Sequence, residues 1–120
     1  MEENSDIEEL KQKVGFGIKI WLEFEGKSIL GSGWANLLEC IDNSDIESLT
    51  DAAKECEYSY KYAWNILKRI EERTGYSPVI TSKGGRGGGG WVKLNDWGTY
   101  LLEKYKTLSK EIEKLNMKLK

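Results

Sequence analysis

The side chains best suited to chemistry lie in two short stretches of the second half of this 120-residue chain. Between Ser59 and Gly75, a helix that turns Tyr60, Ala63, Trp64, Leu67 and Ile70 inward puts Tyr62, Asn65 and Arg69 on the opposite face. Lys61 and Glu72 flank them, and Lys68 adds a further cation. Asn pairs bidentately with adenine and Arg with guanine, and Lys or Tyr reaches a phosphate or a thymine methyl group. Such a face meets the needs of duplex DNA; the same residues would also make an ordinary solvated helix face. The second stretch, Lys83-Gly84-Gly85-Arg86-Gly87-Gly88-Gly89-Gly90, holds six glycines and two cations. Its backbone can approach a sugar-phosphate rail closely, with Gly84, Gly85 and Gly87 offering N–H groups. Lys83 and Arg86 would neutralise phosphates or enter the minor groove. A phosphate-binding P-loop is a poorer reading, since Gly-Lys-Ser/Thr is missing and no helix follows directly. The plainest alternative is a flexible tip with no ligand.

The rest of the composition removes other chemistries. The absence of His excludes Ser-His-Asp and Cys-His nucleophile systems and every His-containing zinc site. No convergent acid, base and nucleophile stand out, so the expectation is a protein that is not an enzyme and needs no cofactor or metal. Net charge is only −2, but it divides unevenly: residues 1–60 carry 5 Lys/Arg against 14 Asp/Glu, and residues 61–120 carry 13 against 6. A basic half of this kind points to a nucleic-acid or other acidic partner. Cys40 and Cys56 fall in helical stretches and read as small core residues in a reduced setting, although an intersubunit disulfide is open to them. The N-terminus has neither the positive nor the apolar region of a signal peptide, and no apolar run approaches a membrane span. These features predict a cytoplasmic protein with no membrane partner.

The elements that position those residues follow from periodicity. Ser5 and Glu8 form a capping box for a helix over about 5–14, with Ile7, Leu10 and Val14 on one side. Residues 16–25 alternate Phe16, Ile18, Ile20, Leu22 and Phe24 against more polar neighbours, the period of a half-buried strand. Gly26-Lys27 turns the chain and Ser28–Leu30 pairs back. Trp34, Leu37, Leu38 and Ile41 mark a helix from Ser32, ended by Asp42-Asn43-Ser44-Asp45. A short helix begins at Thr50 as N-cap and reaches about Glu57, and Ser59 caps the next, which Gly75 stops. Residues 78–82 and 91–94 form a hairpin around the glycine tract. Asn95 or Asp96 then caps a last helix whose Leu101, Tyr105, Leu108, Ile112, Leu115 and Leu119 make a heptad seam. A helix that long outruns a small core, so the seam predicts self-association.

Three helices followed by a two-stranded hairpin are the parts of a winged helix-turn-helix, whose second paired helix enters the major groove. The runs Ser48-Leu49-Thr50-Asp51-Ala52-Ala53-Lys54, Ser59-Tyr60-Lys61-Tyr62-Ala63-Trp64, Gly84 to Gly90, and Leu94-Asn95-Asp96-Trp97-Gly98-Thr99-Tyr100-Leu101-Leu102 resemble the N-terminal DNA-binding domain of ModE-type molybdate-responsive regulators. Ile18 to Phe24 and Leu30-Gly31-Ser32-Gly33 are similar to archaeal members. The resemblance covers about residues 16–108. It implies a dimer that binds operator DNA with the helix starting at Ser59 and lays the glycine-rich wing on the backbone or minor groove. The family's molybdate-binding TOBE domains have no counterpart before Lys120, so molybdate is not an expected ligand. Glu57 stands where the family usually has Gly in the turn.

The expectation is therefore a mainly α fold with a small β component: a helix and strand arm over 1–30, a winged helix-turn-helix over 31–95 and a dimerisation helix over 96–120, in one structural domain. Its partners would be double-stranded DNA, through Thr50, Ser59, Lys61, Tyr62, Asn65, Lys68, Arg69 and the wing, and a second copy of itself. The function expected is sequence-specific transcriptional regulation. A sequence-independent chromatin protein and a protein-interaction module built on the coiled coil are the alternatives.

Overall fold

A computed structural model describes residues 2–82 and 90–119. The chain is mainly helical, in the order α1 (Glu2–Lys13), β1 (Leu22–Phe24), β2 (Lys27–Leu30), α2 (Ser32–Asp42), α3 (Leu49–Cys56), α4 (Tyr60–Thr74), β3 (Val79–Thr81), β4 (Val92–Leu94) and α5 (Asp96–Leu119). The four strands form two separate antiparallel pairs, β1 with β2 and β3 with β4. Among the described residues no helix is long and apolar enough to cross a membrane.

The N-terminal part departs from the periodic pattern. The first helix starts at Glu2, so Ser5 lies inside it and is not its cap. Ile7, Leu10 and Val14 are exposed. The alternating run predicts ten strand residues, and only Leu22–Phe24 pair. Phe16, Ile18 and Trp21 are exposed, since among the described residues no strand neighbours 14–21 to complete a sheet. The turn falls at Glu25-Gly26 and not at Gly26-Lys27: both have positive φ, 49° and 82°. That is the pattern of a two-residue type I′ hairpin loop, whose twist matches that of the strands.

The core is one cluster that joins β1 and β2 (Leu22, Ile29, Leu30) to α2 (Ala35, Leu37, Leu38, Ile41), α3, α4, Val92 and the start of α5. Asn43 ends α2, its side chain accepting from the Asp45 N–H at 2.9 Å. The cap of α3 is Ser48, whose hydroxyl accepts from the Asp51 N–H at 3.0 Å; Thr50, expected in that role, is an exposed residue of the first turn. Glu57 takes the left-handed conformation at the end of α3 (φ 60°), and its N–H donates back to Ala53 and Lys54. Gly75 does the same for α4 at φ 86°.

The hairpin is anchored at both ends. The Val92 N–H donates to the Glu47 carbonyl in the α2–α3 connection at 2.8 Å. At the other end Asn95 caps α5, accepting from the Gly98 N–H at 2.8 Å, while its amide donates to the Ser77 carbonyl at 2.7 Å. The Asn95 N–H reaches the Pro78 carbonyl at 3.1 Å. A Cβ on Gly98 would lie 2.1 Å from that same carbonyl oxygen, so only glycine lets α5 start this close to β3. Gly98, Leu101 and Leu102 are the buried residues of α5. At roughly 1.5 Å per residue its 24 residues run about 36 Å, well past the core.

Candidate nucleic-acid interface

The helix α4 rests on the core through Ala63, Ile66, Leu67, Ile70 and Thr74. This corrects the inward stripe predicted from sequence: Ile66 is buried, whereas Tyr60 and Trp64 are about half exposed. The spacing Ala63, Ile66, Leu67, Ile70 fits a helical face as well as the alternative that uses the larger aromatic rings. Burial selects it because a β-branched aliphatic side chain fills the α2–α3–α4 interior without a polar atom needing a partner. At about 100° per residue the change rotates the outward face. Lys61, Asn65, Lys68 and Glu72 now point most directly away from the core, Tyr62 and Arg69 flank them on one side, and Tyr60, Trp64 and Glu71 on the other.

Ser59 caps α4 as expected, its hydroxyl accepting from the Tyr62 N–H at 3.0 Å. Its N-terminal turn is further tied by Tyr62, whose ring meets Tyr58 edge-on at 5.0 Å. Tyr58 donates its hydroxyl to the Gly33 carbonyl at 3.0 Å, and burial pushes its pKa up, keeping it a donor. Near the other end Arg73 stacks over Trp34 at 5.8 Å and donates to the Ser28 carbonyl. That cation is therefore engaged within the chain. Lys61, Lys68 and Arg69 are exposed and form no ion pair among the described residues.

On the Trp64 side, α4, the start of α3 and the hairpin enclose a groove of about 400 Å³. Tyr60, Trp64 and Lys68 form one wall, Ser48 and Thr50 the end, and Thr81, Ser82 and Trp91 the hairpin wall. Each half-exposed Trp carries a Lys ammonium over its face: Lys68 above Trp64 at 5.1 Å and Lys93 above Trp91 at 5.5 Å. Trp64, Trp91 and Lys93 were missed by sequence reasoning, which assigned the tryptophan of α4 to the core. Their cue was the even placement of Lys four residues after Trp64 and two after Trp91, spacings that stack a cation on a ring in a helix and a strand respectively. The readings on Lys83, Gly84, Gly85, Arg86 and Gly87 fall outside the described residues. Among the described residues no cluster of acidic and thiol side chains could hold a metal ion.

The predicted dimer seam divides in two. Leu101 is buried in the chain's own core at 2% exposure, whereas Tyr105 packs against that core and stays partly exposed. Leu108, Leu115 and Leu119 are exposed and Ile112 is partly so. Segment 16–21 runs alongside α5 and leaves two grooves there, one of about 660 Å³ lined by Trp21, Leu108 and Ile112 and one of about 830 Å³ lined by Phe16, Ile18 and Ile112. Compared with known proteins, the chain matches no family model and no curated sequence.

Proposed function

We propose that the chain is a homodimeric, sequence-specific DNA-binding regulator of transcription, built as a winged helix-turn-helix. In this reading α3 and α4 are the helix-turn-helix, α4 enters the major groove, and the β3–β4 hairpin is the wing that reaches the backbone or minor groove. The observation that carries it is the exposed cationic face of α4, Lys61, Lys68 and Arg69 around Asn65, which form no ion pair among the described residues and stand beside the groove that Thr81, Ser82 and Trp91 of the hairpin wall off. The bond from Val92 to Glu47 supports the same reading, because it ties the hairpin to the connection between the first and second helices of the trihelical core. The sequence resemblance to the DNA-binding domain of ModE-type regulators agrees with it, and with Ser59 as the start of the recognition helix. Molybdate has no part in the proposal, nor has catalysis.

Isolated base contacts and phosphate contacts leave different signatures, which makes the reading testable. Selection from random duplexes, followed by anisotropy titration over a salt series, should yield a preferred site bound at least about a thousandfold more tightly than random duplex. Asn65→Ala should cost about 1–3 kcal/mol at that site with the salt slope unchanged. Lys61→Ala should lower the slope by about one and weaken all duplexes alike. No binding to any duplex at low salt would refute DNA binding; equal affinity for all duplexes would favour the chromatin-protein alternative.

A further inference from the structure

The two cysteines, 16 residues apart in sequence, meet across the α2–α3 contact with their sulfurs 3.0 Å from each other. Both are free thiols. Cys56 is the last residue of α3 and is buried; Cys40 lies in the last turn of α2 and is partly exposed. Asn36 completes the setting: its amide donates to the Cys56 sulfur at 3.5 Å, and its carbonyl lies 3.7 Å from that sulfur. A disulfide requires the sulfurs to approach to about 2.05 Å, so closure needs the two sulfurs to move together by about 1 Å. The intersubunit bridge open on sequence grounds is disfavoured, since each thiol already faces its neighbour in the same chain.

We propose that Cys40 and Cys56 form a thiol–disulfide exchange site that takes low-molecular-weight disulfides and closes reversibly into a bond between α2 and α3. Cys40, the more accessible sulfur, gives up its proton and attacks one sulfur of the small disulfide. One small thiolate leaves and is protonated, and a mixed disulfide remains on Cys40. Cys56 then attacks the Cys40 sulfur and loses its proton, and the second small thiol leaves. The two cysteines are oxidised by two electrons, and the small disulfide is reduced to two thiols. Burial and the neighbouring Cys40 push the Cys56 thiol up to about 12, which assigns it the second, intramolecular step, where proximity compensates for a small thiolate fraction.

The test treats the full chain with oxidised glutathione and follows intact mass, alkylation by iodoacetamide and thermal unfolding. The expected product is a monomer-mass species lacking two hydrogens and taking up no alkyl group. Its Tm should be higher by on the order of 10 °C, because the bond closes a short loop in the unfolded chain. Cys56→Ser should stop at a stable glutathione adduct on Cys40, and Cys40→Ser should take up little. A wild-type chain that still alkylates twice, that keeps glutathione, or that forms covalent dimers would overturn the proposal.

Discussion

Replacing Gly98 by Ala should destabilise the fold, against the usual effect of that change within a helix. On an exposed helix Ala is favoured over Gly by about 1 kcal/mol. Here the new methyl carbon would sit 2.1 Å from the Pro78 carbonyl oxygen, 3.0 Å from its carbon and 3.2 Å from a Leu94 methyl. Two of these are backbone atoms and cannot swing aside. Ordinary contact begins near 3.4 Å, so α5 and the start of β3 must separate by about 1 Å. That separation stretches the two hydrogen bonds through which Asn95 holds the Ser77 and Pro78 carbonyls. Overpacking costs about 1–3 kcal/mol, and weakening the Asn95 bonds adds about 1 kcal/mol for each one lost. With two such bonds weakened and the propensity gain subtracted, a net loss of about 2–4 kcal/mol remains. Urea unfolding followed by circular dichroism should show the midpoint falling by roughly 1–2 M with little change in slope. A Gly98→Ala protein as stable as wild type, or more so, would refute the close approach of α5 to β3.

Three further outcomes follow from other parts of the chain. Leu115→Glu combined with Leu119→Glu should convert the proposed dimer to a monomer in light scattering while leaving the circular dichroism unchanged, because both side chains lie outside the core. Glu57→Gly should stabilise the fold by about 0.5 kcal/mol in urea unfolding, since the left-handed strain of about 1 kcal/mol is relieved and partly offset by the greater freedom of glycine in the unfolded chain. For Cys56 the raised thiol pKa means that the folded chain holds its proton where the unfolded chain, with a pKa near 9.0, releases it. Its contribution is whole below pH 9 and is lost as pH rises toward about 12; wild type should therefore lose stability more steeply over that window than Cys56→Ala, compared by urea midpoints.

Helices α2, α4 and α5 were legible because each has a strong apolar stripe and a clear boundary residue: Asn43, Ser59 with Gly75, and Asn95. The failures share a cause. Periodicity records which residues prefer burial and not whether a neighbour exists to bury them. Phe16 and Ile18 have the alternation of a strand and, among the described residues, no strand beside them; Tyr60 and Trp64 fit a helical stripe that Ile66 occupies instead. Threonine at position 50 suits a cap, but Ser48 two residues earlier already satisfies the Asp51 N–H. In the candidate site the cations on α4 were legible, while the pairing of Lys68 with Trp64 and Lys93 with Trp91 became visible only when the two rings were known to be exposed.

The division of α5 links these local facts to the proposed function. Its first two turns belong to the core through Leu101 and Leu102, and the Asn95 bonds fix where it leaves the hairpin. Its distal apolar residues therefore project in a direction set by the same contacts that place the β3–β4 hairpin beside α4. If two copies pair through that distal stretch, the separation of their α4 helices is set by a rigid connection and not by a flexible linker. Helix-turn-helix dimers require such a fixed separation, near one turn of DNA or about 34 Å, because half-sites must face the same side of the duplex. Loosening the Asn95 anchor without breaking the dimer should accordingly reduce affinity for a two-half-site duplex more than for a single half-site. Asn95→Ala, titrated against both duplexes by anisotropy, measures that difference; equal losses on the two would separate the geometry of α5 from the spacing of the recognition helices.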